Sequence, residues 1–201
     1  MMRGETMMRH KAETVQLKPN IDRVIATIAY VIHAAEKLGA QFSQYDIVKS
    51  IFLADRSHLN TFGRLISSDK YVAMVHGPVP STSYNVLKGD ELTMRQYRLE
   101  CVPWRSKRGE PVGVRVFYDS TVEGIDTVLS PSDMAAIEAA VGTINSLTFS
   151  QIRKLTHEDP AYIDAWEDES EKKQFPISLG MLFDAPNFER ARQLSEMSKI
   201  D

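Results

Sequence analysis

The side chains of this 201-residue chain suited to proton transfer, nucleophilic attack or metal ligation are few: His10, His33, His58, His76, His157, Cys101 and the carboxylate of Asp55. A zinc site needs several His or Cys ligands that converge tetrahedrally, and these histidines are scattered with no CxxC or HExxH spacing. The phosphate cradles GxxxxGK[ST] and GxGxxG and the nucleophile elbow GxSxG are absent as well. His76 and His157 each follow an apolar segment and precede a sharp break, where an imidazole can be oriented as a general base. The same placement suits a histidine that bonds a backbone carbonyl or a buried carboxylate such as Asp55, and that structural role is expected for both, as for Arg56 and Arg64. Cys101, lacking a histidine beside it in sequence, is expected to be a buried structural thiol. The expectation is a chain that catalyses no reaction and holds no metal or cofactor.

Elements that would position these residues follow from apolar spacing. Ile21, Val24, Ile25, Ile28, Val31, Ile32, Ala35 and Leu38 recur at helical intervals before Gly39. A second helix is predicted from Ser43 or Gln44 to Phe62, burying Val48, Ile51, Phe52, Leu59 and Phe62, with Gly63 as its stop. Asp55 lies on that stripe, four residues from Ile51 and from Leu59, so its carboxylate must find partners inside the fold. The segment KYVAMVH alternates as a strand does, and Gly77, Pro78 and Pro80 are expected to end it in a turn, with Ser81 capping a short helix that carries Tyr84 and Leu87. Two β-like runs, 99–104 and 112–118, flank the polar SKRGEP turn and predict a hairpin that could extend the KYVAMVH strand. Capped helices follow at Ser130, Thr148 and Asp159, and Phe188, Ala191 and Leu194 mark one amphipathic helix beyond the acidic run WEDESEKK. The fold class is α+β, predominantly helical: a compact helical domain with a small antiparallel sheet or hairpin packed on it. Residues 1–19 are expected to form a flexible tail and 20–201 a single domain.

Composition narrows the function classes. With 24 Lys and Arg against 27 Asp and Glu, the formal charge of -3 makes no global positive field to gather nucleic acid or an anionic membrane. The most apolar stretch, 24–35, is too short to cross a bilayer, and the start MMRGETMMRHKAE lacks the apolar region of a signal peptide. One cysteine cannot form an internal disulfide, which fits a cytoplasmic protein.

The string IVKSIFLADRSHLNTFGRLISSDKYVAMVHGPVPSTSYNVLKG resembles the Panacea domain, also called the SocA-like antitoxin domain. The elements that carry the resemblance are Leu53 to Asp55, Gly63, Tyr71 to Val75 and the turn His76, Gly77, Pro78, Val79 and Pro80, and further on Leu155, Thr156, His157 and Trp166. It covers about 21–166, with 167–201 as a C-terminal helical extension. The resemblance implies an antitoxin that neutralises a cognate toxin, encoded next to it on a prophage or other mobile element, by direct protein contact. Its motif residues Asp55, Arg56, His76, Gly77, Pro78, Pro80, His157 and Trp166 would hold the fold or touch the partner.

Neutralisation by contact calls for a surface of about 1,200–2,000 Å² with aromatic or arginine anchors. Tyr84, Trp104, Arg105, Phe117 and Tyr118 are the candidates; Trp104 and its basic neighbours would suit an acidic or nucleotide-handling toxin, although a Trp packed on the core with those cations in solvent is the favoured reading. Two alternatives keep the same fold: an adaptor that delivers the toxin to a protease, and a DNA-binding regulator of its own operon. The second reads residues 24–62 as a helix-turn-helix with Lys49 and Arg56 reaching phosphates.

Overall fold

A computed structural model describes residues 13–109, 113–167 and 171–200. Helix α1 (Ile21–Lys37) begins where Asn20 accepts from the Arg23 N–H. Helix α2 (Gln44–Phe62) opens with a reciprocal capping box between Ser43 and Asp46 and stops at Gly63, whose φ of 78° makes a left-handed cap. Helix α5 (Pro131–Ser146), started by the Ser130–Asp133 box with proline in its first turn, packs on both. Val24, Ile28, Ile47, Ile51, Ile137 and Val141 fill the space between the three helices and are fully buried. This helical core is the predicted predominantly helical α+β architecture.

The β structure differs from its predicted form. Strand β1 (Tyr71–Met74) is central, and the segment expected to be a terminating turn is itself strand β2 (Gly77–Pro80), with Tyr71 opposite Pro80 and Ala73 opposite Pro78. Prolines are tolerated because β2 lies at the sheet edge, where a missing N–H breaks no ladder. The other flank of β1 is taken by β5 (Phe175–Pro176), so the third strand comes from the C-terminal extension and not from the middle hairpin. That hairpin is a separate sheet, β3 (Arg105–Arg108) with β4 (Arg115–Tyr118). Three residues of the predicted turn, Ser106 to Arg108, lie inside β3, because Trp104 faces the core and pins the strand start further along the chain. Phe117 N–H bonds the Phe42 carbonyl at 3.0 Å, which ties β4 to the connection between α1 and α2.

Short helices complete the chain: α3 (Ser81–Lys88), α4 (Glu91–Gln96), α6 (Phe149–His157), α7 (Pro160–Ala165) and α8 (Phe188–Met197). A second apolar cluster, with Phe52, Leu59, Tyr71, Tyr162, Phe175 and Leu179, lies between α2, the sheet and the C-terminal segment.

The expected flexible tail is corrected for residues 13–19; residues 1–12 lie outside those described. Val15 is buried, its N–H bonds Ser178 Oγ at 3.0 Å and its carbonyl accepts from the Leu179 N–H at 2.7 Å. Ser195 Oγ donates to the Gln16 carbonyl and Arg192 pairs with Glu13. A lone valine followed by Gln and Leu has no period to betray it, yet it fills the second cluster. No helix among the described residues is long and apolar enough to cross a membrane.

Candidate functional site

Asp55 is the hub of the β1 side. Its Oδ1 accepts from the Ile66 N–H at 2.6 Å and the Ser67 N–H at 2.9 Å, and its Oδ2 from the Ser67 hydroxyl and from Tyr71 Oη at 2.7 Å. One carboxylate thus fixes the loop after α2 to the first residue of β1. Full burial pushes its pKa up, against the lowering effect of those four donors. Asp69 does equivalent work on the far side of the loop: it accepts from the Thr82 and Ser83 N–H groups and the Ser83 hydroxyl, at 3.0, 2.7 and 2.8 Å. The expected cap of α3, Ser81, makes no capping bond, because Asp69 supplies it from across the loop.

Arg56 is bound up as well. Its Nε lies 2.9 Å from Asp159 and its Nη1 donates to the Leu182 carbonyl at 2.9 Å, so α2, α7 and the C-terminal segment are clamped together. Trp166 stacks on Tyr162 with ring centroids 5.8 Å apart and meets Phe175 edge-on at 5.5 Å, and His157 lies over Tyr162 at 4.5 Å. Tyr162 Oη in turn donates to the Met74 carbonyl. A third buried hub, Asp133, faces Arg64 at 2.9 Å, Arg23 at 3.1 Å and His58 at 3.1 Å. Burial would raise its pKa, but the Arg64 and Arg23 guanidinium groups and the Ser130 N–H hold it below the usual carboxylate range. His58 received no role from its sequence position; it also bonds the Arg64 carbonyl at 3.0 Å.

Gly77 is required by its surroundings. Its φ is 99°, and a Cβ there would stand 2.8 Å from both Lys49 Nζ and Thr156 Oγ1 and 3.3 Å from the His157 ring. Lys49, fully buried, donates to the Pro78 carbonyl at 2.8 Å, and burial pushes its pKa down to about 7. The helix-turn-helix reading places this lysine on a phosphate; it is inside the fold, and Arg56 is held by Asp159, so neither cation stands free on a helix face.

Lys49 forms part of the floor of an open groove of about 900 Å³ between the start of α2, the β1–β2 turn, α3, α6 and the hairpin. Its walls include Tyr45, Tyr84, Val75, Phe149 and Val116, and His76, exposed, meets Phe149 edge-on at 6.1 Å. Tyr84 therefore stands where a partner can touch it. Trp104 and Phe117 do not: both are core residues and are withdrawn as interface anchors, since in this short hairpin their side chains are the ones that attach it to the helices. Arg105 is exposed and pairs with Asp119, and Tyr118 is half-buried beneath Lys107. Cys101, expected inside, is exposed, because the loop before β3 turns its apolar Val102 and Trp104 inward instead.

The oxygens of Asp55 are occupied by the loop it anchors and by Tyr71, whereas His76 lines the open groove. Among the described residues no group of three His, Cys, Asp or Glu side chains is placed to hold a metal ion. The arrangement can do two things. The hubs fix the loops, and the groove offers exposed apolar side chains with the exposed cations Lys88 and Arg115 among its lining. The model of one protein family, described as Antitoxin SocA-like, Panacea domain, matches residues 47–163. No curated protein and no solved structure matches the chain.

Proposed function

This chain belongs to the SocA-like, Panacea-domain antitoxin family, and on that premise we propose that it is a cytoplasmic antitoxin that neutralises a cognate toxin protein by binding it directly, without catalysing a reaction. The family match carries the reading, because it runs from within α2, at residue 47, to within α7, at residue 163, and so includes the carboxylates Asp55, Asp69 and Asp133 and most of the groove lining. The fold is consistent with it: the motif residues Asp55, Arg56, Gly77 and Trp166 are spent on holding loops and helices, which leaves exposed side chains beside them for a partner. The toxin is expected to be the product of a neighbouring gene.

Co-expression tests this. The adjacent reading frame, induced alone and together with this chain, is scored for growth and for a complex that survives affinity purification and gel filtration. Toxicity relieved in a stable complex, in cells and with purified components, is the expected result. Relief that disappears in a host lacking its energy-dependent proteases would point to delivery for degradation, and relief without any complex would refute neutralisation by contact.

A further inference from the structure

The hairpin has one edge tied to the fold and one edge open. Its strands form a sheet of their own, in which β3 pairs with β4 alone among the described residues. The register fixes which backbone groups are spent. Gly109 N–H bonds the Val114 carbonyl at 2.6 Å, so by alternation Lys107 with Val116 and Arg105 with Tyr118 are the hydrogen-bonded pairs. Ser106 and Arg108 stand at the other positions and send their N–H and C=O groups away from β4. Across the ladder the same alternation holds: Phe117, opposite Ser106, turns its N–H to the Phe42 carbonyl at 3.0 Å. That contact closes the β4 edge, whereas no backbone hydrogen bond takes up the outward groups of Ser106 and Arg108 among the described residues.

Positive charge is concentrated on the open edge. Arg105, Lys107 and Arg108 are three of the four residues of β3, and all four are exposed. Arg115, also exposed, stands opposite Arg108. Arg105 is matched by Asp119 at 3.3 Å in a solvent-exposed pair, and Lys107 lies 5.2 Å from the centre of the Tyr118 ring. Arg108 and Arg115 meet no carboxylate among the described residues. In a chain of formal charge -3 this is a local excess of one sign. Such an edge repels a second copy of itself, because cations would face cations across the new ladder. A nucleic acid would use the charge but leave the outward N–H and C=O groups idle. A polypeptide strand bearing carboxylates uses both.

We propose that β3 receives an extended acidic segment of the partner protein, which joins the hairpin as a third strand. Its backbone takes the outward groups of Ser106 and Arg108, and its Asp or Glu side chains lie beside the exposed cations of β3. The proposal rests on the antitoxin reading for the partner's identity but not for the chemistry of the edge.

A fluorescein-labelled peptide with blocked ends and the core Glu-Val-Glu-Val-Glu, titrated into the intact chain at low salt and followed by anisotropy, tests the edge. It is expected to bind, and its Lys-Val-Lys-Val-Lys counterpart is not. Methylating alternate backbone nitrogens of the peptide should weaken binding at least about tenfold in one phase and little in the other, since only one set of N–H groups faces β3 and the charge is unchanged. Ser106→Pro should remove the binding while leaving the circular dichroism of the chain unchanged, because the lost N–H points out of the hairpin and an edge strand tolerates proline there. Lys107→Glu with Arg108→Glu should weaken it at least about tenfold. No binding by the acidic peptide, equal binding in both methylation phases, Ser106→Pro binding as the unchanged chain does, or tighter binding of a single-stranded DNA would each overturn the proposal. A toxin complex and growth rescue that survive Ser106→Pro, with peptide binding lost, would take the toxin off this edge and overturn it while the antitoxin reading stands. Failed rescue by the unchanged chain, with peptide binding intact, would count against that reading alone.

Discussion

Replacing Asp55 separates a hub that holds loops from a group that does chemistry. In Asp55→Ala the Ile66 and Ser67 N–H groups, fixed by the backbone, lose their acceptor and cannot turn to another. At about 1–3 kcal/mol for each stranded donor, with a further ~1 kcal/mol for the vacated space, the loss comes to about 3–7 kcal/mol. That is a large part of the 5–15 kcal/mol typical of a domain. Asp55→Asn keeps an oxygen for the two N–H groups and turns its amide toward Ser67 and Tyr71, whose hydroxyls can rotate to accept, so about 1–2 kcal/mol should go. Urea unfolding followed by circular dichroism reads both values. The pH dependence supplies a second check. Burial raises the folded-state pKa of Asp55, so the folded protein binds its proton more tightly than the unfolded chain does. Wild-type stability relative to Asp55→Asn is therefore greatest at the acid end and declines as pH rises from about 4, the ordinary carboxylate value, toward the raised one. A loss below 1 kcal/mol in Asp55→Ala, equal losses in the two variants, or an advantage that grows with pH would refute the reasoning.

Asp133 should behave in the opposite sense. Its folded pKa is depressed, so the stability it contributes is present above the ordinary carboxylate pKa of about 3.9 and lost as pH falls below it; Asp133→Asn should flatten the acid limb of a pH–stability curve. Gly77→Ala should cost about 2 kcal/mol or more in thermal or urea unfolding, because it combines a φ of 99° with a methyl 2.8 Å from Lys49 Nζ and Thr156 Oγ1. Cys101 should react with a thiol reagent in the native protein at nearly its rate in denaturant, and a rate slowed a hundredfold would put the thiol back inside the fold.

Much of the helical frame was legible because caps and apolar period agree. Ser43, Ser130 and Thr148 all start helices where their spacing to Asp46, Asp133 and Gln151 says they should. Asp55 was legible as a buried carboxylate from its place on the α2 stripe. The partners of these groups were not. Asp69 reaches a helix 13 residues away, Arg56 reaches Asp159 and Leu182, and such distances have no period. Lys49 was misplaced because lysine is read as a surface cation, and only the Pro78 carbonyl on a neighbouring strand makes its burial intelligible. Phe62, expected inside, is exposed, since it is the last residue of α2, where the stripe runs past the core. The groove depends on where the hairpin returns to α2 through Phe42 and Ser43, which no local pattern encodes.

The way residues 13–18 lie along α8 has an engineering consequence. Glu13 meets Arg192, Gln16 meets Ser195 and the Lys18 N–H meets Ser198 Oγ, so the two ends of the described chain run side by side. A unit entered and left at one place can be spliced into a surface loop of another protein without being pulled open, or have its ends joined and be cut elsewhere. Partners fused directly at residues 13 and 200 would likewise meet beside α8.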